Sequence, residues 1–182
     1  MLHEGASHAG KNSYDLCMQS VAHHLQVEAV KLVPASTVDA DSYARSAFNR
    51  YYYATFLCVR SALVSIDRKY ESSLNHKGVP DLLRGVIQKR IKAIQKKADK
   101  LGDQLLVKDC RQANSRNLKF ANTLEKAYAI RVVADYTPET AVDFRSSRFS
   151  LSGVAVTEAH DWLGEATLWA SLLLDVIRQE NA

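Results

Sequence analysis

Ser46-Ala47-Phe48-Asn49-Arg50-Tyr51-Tyr52-Tyr53-Ala54 opens the clearest periodic pattern in the chain. From it, Phe48, Tyr52, Thr55, Val59, Ala62 and Ile66 recur at spacings of four and three, which is one face of a helix. Asp39 or Asp41 can cap its start by offering an acceptor to the orphan amides, and the pattern runs to about Arg68. Three consecutive tyrosines beside Asn49 and Arg50 give this helix more polar aromatic surface than core packing alone requires.

The same period extends outward on both sides. A first helix is expected over about 14–33, closed by Pro34. A third is expected over about 80–101, with Ile87, Ile91, Ile94, Ala98 and Leu101 as its buried seam and Gly102 as its stop. A fourth covers about 104–134, with a break near 114–117 and Leu118, Ala121, Leu124, Tyr128 and Val132 inward. Pro138 ends it by disfavouring helix at Thr137. Residues 139–153 read as a polar loop. A last helix over about 156–179 turns Ala159, Leu163, Ala166, Ala170, Leu173 and Ile177 inward, and is apolar nearly all round from Leu168 to Leu174, which suits a central position or a dimer contact.

No strand pattern emerges. Seven Gly and three Pro in 182 residues are too few for many tight turns. The expected fold is all-α: an antiparallel up-and-down helical bundle of about five helices. Residues 1–12 read as a disordered segment ahead of a single domain over 13–182.

Hydrophobic content of 47% suits a soluble globule with a real core. The first thirteen residues show no leader pattern, and the apolar run from Leu168 to Leu174 is far too short to span a membrane. Cys17, Cys58 and Cys110 are odd in number and widely spaced, with no Cys-x-x-Cys, so they read as reduced thiols of a cytoplasmic protein. Net charge is only +4, but its distribution is uneven. Between Arg84 and Lys119, eleven basic residues face three acidic ones, leaving the remainder of the chain acidic. Such asymmetry suits contact with phosphate.

Two further motifs stand in order after the tyrosine-rich stretch: His76-Lys77-Gly78 at the turn into the third helix, and Arg131-Val132-Val133-Ala134-Asp135-Tyr136 at the end of the fourth. In this order and spacing the chain resembles the HEPN superfamily, most of all its small prokaryotic branch with Tyr-Tyr-Ala, His-Lys-Gly and Arg-x-x-Ala-Asp-Tyr motifs. The resemblance covers about 42–83 and 124–177. It implies a helical bundle, commonly a homodimer, that acts on or binds RNA or a nucleotide. It implies a toxin–antitoxin or phage-defence setting, sometimes with a nucleotidyltransferase partner. Many members are metal-independent endoribonucleases that use an Arg and a His close together on one helix. That spacing is absent here, the nearest pair being Arg68 and His76.

The resemblance singles out His76 and Arg131 as the catalytic pair of an endoribonuclease. The alternative is a catalytically silent module that binds a nucleotide or a partner protein. Each candidate also has a plain structural reading. His76 and Lys77 suit an RNA backbone, or a turn in which Gly78 supplies a positive φ. Arg131 and Asp135, four apart, suit a guanidinium steadied for a phosphate or nucleotide, or a simple intrahelical ion pair. Asn49, Arg50 and Tyr53, with Lys77, Asp135 and Tyr136, are the candidate substrate-binding residues. Lys89, Lys92, Lys96 and Lys100 line one side of the third helix and suit a nucleic-acid backbone, or a solvated face. His24 and Glu28, helix neighbours beside His23, lack a third ligand, so no metal site is expected, and no cofactor.

Overall fold

The computed structural model describes residues 12–145 and 148–180. The segment expected to be unstructured, 1–12, lies outside them except for Asn12. The fold class is all-α, as the periodicity predicts. In chain order the elements are α1 (Asn12–Leu32), α2 (Thr37–Ile66), α3 (Tyr70–Ser73), α4 (Val79–Leu82), a π-helical turn (Leu83–Ile87), α5 (Gln88–Leu101), α6 (Gln104–Tyr136), β1 (Asp143–Arg145), β2 (Arg148–Leu151), β3 (Val154–Ala155) and α7 (Val156–Glu180). The chain divides into two compact units, the described residues 12–58 with 126–163, and 59–125 with 164–180.

The first unit holds α1, α2 as far as Cys58, the last turns of α6, the sheet and the start of α7. The cap of α2 is Ser36, whose hydroxyl accepts the Asp39 amide at 3.2 Å, rather than Asp39 or Asp41. Alanines at 22, 29, 40, 44 and 47 are buried, so helices can approach closely there. Phe48 packs edge-on against Phe149 of β2, with ring centres 5.8 Å apart. Tyr51 and Tyr52 are both buried. The Tyr51 hydroxyl donates to Gln26 of α1 at 2.5 Å, and its ring meets His160 of α7.

Residues 139–153 are not the loop expected. Three short antiparallel strands pair in the order β1-β2-β3, with Phe144 opposite Phe149 and Leu151 opposite Val154. Phe149 and Leu151 are buried while Arg148 is exposed, so the period-two alternation is present but only four residues long. Ser152 and Gly153, both with positive φ (48° and 76°), make the two-residue hairpin whose twist matches the flanking strands.

The second unit holds α2 from Val59, α3, α4, the π turn, α5, α6 as far as Glu125, and the rest of α7. Ile87, Ile91, Ile94 and Ala98 are buried as expected. Leu101, at the helix end, is 75% exposed, and Gly102 closes α5 with φ 74°. The expected third helix is interrupted near its start by the π turn. There the buried Asn117 side chain of α6 donates to the Leu83 carbonyl at 2.8 Å and accepts from the Trp169 indole of α7 at 3.0 Å. A side chain entering the backbone ladder is a recognised companion of such turns. Asn117 is thus a polar joint among three segments, and α6 runs unbroken through 114–117, where a break was expected.

The α6 seam also differs from expectation. In this unit Leu106, Val107, Cys110, Ala113, Asn117, Phe120, Ala121 and Leu124 are buried, whereas Leu118 is only half-buried. None of the three cysteines is in a disulfide: Cys17 is exposed, Cys58 half-buried and Cys110 buried, with burial pushing the Cys110 thiol above its ordinary pKa. Among the described residues, no helix is long and apolar enough to cross a membrane.

Candidate functional site

Every fourth residue of α2 from Asp41 to Tyr53 is polar: Asp41, Arg45, Asn49, Tyr53. At 3.6 residues per turn such a row stays on one side of the helix over a few turns. In the first unit this row meets the C-terminal turns of α6, and the contacts run in opposite chain directions. Arg45 reaches residues 133–140, Asn49 reaches Asp135, and Tyr53 reaches Arg131. The two helices are therefore antiparallel here.

Arg45 anchors the arrangement. Its Nε donates to Asp41 Oδ2 at 2.5 Å, while its other nitrogens reach the carbonyls of Val133, Ala134, Thr137, Pro138 and Thr140. The last carbonyls of a helix lack intrahelical partners and carry the negative end of its dipole, so a cation there satisfies both needs. Asp41 Oδ1 also accepts the Val142 amide at 3.0 Å, which fastens the chain leaving α6. The sequence reading missed Arg45 and missed this use of Asp41; their spacing of four and eight from Asn49 was the available signal.

Beyond Arg45 lies the cluster that could take a ligand. Arg131 Nη2 is 2.9 Å from Asp135 Oδ2, one turn further along α6, and 3.4 Å from the Tyr53 hydroxyl. Its guanidinium carbon lies 5.9 Å from the Tyr53 ring centre and 5.5 Å from that of Tyr136. Asp135 uses its second oxygen to accept from Asn49 Nδ2 at 2.5 Å. The carboxylate thus bridges Asn49 and Arg131 and holds both in place. Burial works against the Arg131 charge, but Asp135, Tyr53 and Tyr136 outweigh it and hold the guanidinium pKa above its ordinary value. Two buried polar atoms of the cluster lack hydrogen-bond partners: Arg131 Nε, a donor, and Asn49 Oδ1, an acceptor. Tyr136, the last residue of α6, is 69% exposed.

The structure therefore brings together Asn49, Tyr53, Arg131, Asp135 and Tyr136 in the first unit. Arg50, next to Asn49 in sequence, is exposed and joins no hydrogen bond or ion pair with them.

His76 and Lys77 belong to the second unit, on the bend between α3 and α4. His76 is half-buried and Lys77 exposed. The turn is closed by Asn75, whose side-chain oxygen accepts the Gly78 amide at 2.7 Å. Gly78 has φ −84°, so it supplies no positive φ. What requires glycine there is closeness: a Cβ would sit 3.0 Å from Asn75 Oδ1.

Lys89, Lys92, Lys96 and Lys100 lie on α5, also in the second unit, and all four are exposed. The basic surplus is partly absorbed within that unit. Arg84 pairs with Glu125, Arg90 with Glu180 and Arg116 with Glu165. The four lysines carry no ion pair among the described residues, so their charge is not neutralised locally. No group of three or more His, Cys, Asp or Glu among the described residues could hold a metal ion. Comparison with protein-family models, with curated proteins and with solved structures gives no match.

Proposed function

We propose that this chain is a HEPN-like protein that binds RNA or a nucleotide through the Arg131 cluster, with the α5 lysines as contacts to a nucleic-acid backbone. One observation carries the reading. Arg131 is held by Asp135 and flanked by two tyrosine rings, yet keeps a buried donor unused. A buried polar group without a partner costs about 1–3 kcal/mol, which a bound ligand would recover. Aromatic rings beside a cation suit unstacked bases, as in single-stranded RNA. A cytoplasmic homodimer in a toxin–antitoxin or phage-defence pair, with a nucleotidyltransferase partner, is the setting that the resemblance adds.

The catalytic version makes His76 and Arg131 the reacting groups of a metal-independent endoribonuclease. Its support is the half-buried His76 beside the exposed Lys77, an imidazole next to a fixed positive charge. Both versions are tested with purified protein and labelled RNA in the presence of a chelator. Binding that is weakened about tenfold by Arg131→Ala supports the shared reading, and cleavage abolished by both His76→Ala and Arg131→Ala supports the enzyme. Binding without cleavage leaves the silent module. Neither binding nor cleavage by the wild-type protein removes both.

A further inference from the structure

Resting on the reading above, we infer that the Arg131 cluster recognises the edge of a nucleobase rather than a phosphate. The cluster's remaining hydrogen-bonding capacity is what selects the ligand. Asp135 has each oxygen engaged, one by Asn49 Nδ2 and one by Arg131 Nη2. The bond from Asn49 also fixes the orientation of its amide, because a carboxylate only accepts and so must face the NH2 group. What remains is one buried donor, Arg131 Nε, and one buried acceptor, Asn49 Oδ1, on the two residues that flank the same carboxylate.

A phosphate offers acceptors only. It would satisfy Arg131 Nε, leave Asn49 Oδ1 unpaired and bring its charge towards Asp135. The Arg131–Asp135 pair is itself neutral, so little net attraction is left for a dianion. A nucleobase edge carries an acceptor directly beside a donor: ring N and amino group in adenine or cytosine, carbonyl and ring N–H in guanine or uracil. Such an edge carries both kinds of partner that the two unused atoms need. It also suits the rings. Tyr136 lies beside the guanidinium at the exposed end of α6, where its ring is placed to support a base.

The test is a calorimetric titration of the wild-type protein with AMP, GMP, CMP and UMP, each compared with ribose 5-phosphate. At least one nucleotide binds about tenfold or more tightly than ribose 5-phosphate, as one bidentate base contact would give. Where AMP is the ligand, purine riboside 5′-monophosphate, which lacks the amino donor, falls to the level of ribose 5-phosphate. Asn49→Ala narrows or removes the difference between the nucleotide and ribose 5-phosphate. Ribose 5-phosphate binding as tightly as every nucleotide overturns the inference while leaving an RNA-backbone site standing. No binding of any of these, nor of RNA, takes down the underlying function as well. The wild-type comparison decides the matter even where Asn49→Ala does not fold.

Discussion

Arg45 of α2 is pinned to Asp41, one turn earlier, at 2.5 Å, and with its remaining nitrogens it gathers the carbonyls that end α6. Its side chain is only 11% exposed, so these carbonyls have little water to replace it. Arg45→Ala is expected to lower stability by about 2–3 kcal/mol, because it leaves the Asp41 charge with only the Val142 amide and removes the donor from the Ala134, Pro138 and Thr140 carbonyls. Arg45→Lys recovers less than half of that, since an ammonium cannot reproduce the planar fork. Urea unfolding measures both. A loss below about 0.5 kcal/mol for the alanine variant would mean that water takes over the role.

Asn117 makes a second prediction, in the other unit. Asn117→Ala leaves the buried Trp169 indole without its partner, while the Leu83 carbonyl loses one donor but keeps the Gln88 amide. An unpaired buried group costs about 1–3 kcal/mol, so a loss of that size is expected. The indole emission of Trp169 should shift as its hydrogen bond disappears. Near-neutral stability with unchanged emission would contradict the joint.

The buried phenols set a limit in alkali. Burial raises the pKa of Tyr51 and of Tyr52 above the ordinary 10.0, and for Tyr52 the nearby Arg131 opposes the rise without cancelling it. Both phenols are neutral in each state below the unfolded value, so their contribution is fully present there. It is lost as pH climbs beyond about 10, where the unfolded chain releases these protons and the folded one does not. Ultraviolet titration should show two tyrosines ionising only as the helical signal collapses. Tyr51→Phe should make the alkaline transition shallower, at the expense of the Gln26 hydrogen bond. Smooth ionisation of every tyrosine with the helices intact would refute this.

Two glycines should respond in opposite directions to alanine. Gly164 sits exposed within α7, and a Cβ there meets nothing within 4 Å, so Gly164→Ala should stabilise by about 0.5–1 kcal/mol. Gly153→Ala has equal room but a φ of 76°, so it should destabilise by about 1–2 kcal/mol. Thermal melts of the two variants decide; equal signs would contradict the hairpin geometry.

Neutralising Lys92 and Lys96 together should weaken RNA binding equally for unrelated sequences. It should also flatten the salt dependence by roughly 0.7 in log–log slope for each phosphate of a single strand that the protein no longer neutralises. An unchanged slope would leave α5 as a solvated face.

How far these features could be read in advance depended on the distance over which each is encoded. The α2 face was legible because Phe48, Tyr52, Thr55, Val59 and Ala62 repeat at helical spacing, and all five are buried. The α6 seam was not, because its partners change along 33 residues and Asn117, a polar residue, holds a core position. The strands were missed because two to four residues are too few to establish an alternation. Asn49, Tyr53, Arg131, Asp135 and Tyr136, which cluster in the first unit, were named as candidates from motif order. Arg45 escaped because most of its partners are main-chain carbonyls, which leave no trace in side-chain identity. Which basic residues would stay unpaired depended on the acids that tertiary packing delivers to Arg84, Arg90 and Arg116 rather than to the α5 lysines.

The three thiols, standing at three depths, give the protein a built-in clock for its own opening. An alkylating probe should mark Cys17 within the mixing time, Cys58 at the pace of local breathing, and Cys110 only when the helices around it come apart. Counting adducts by mass against time would then separate partial from complete unfolding in a single unlabelled sample.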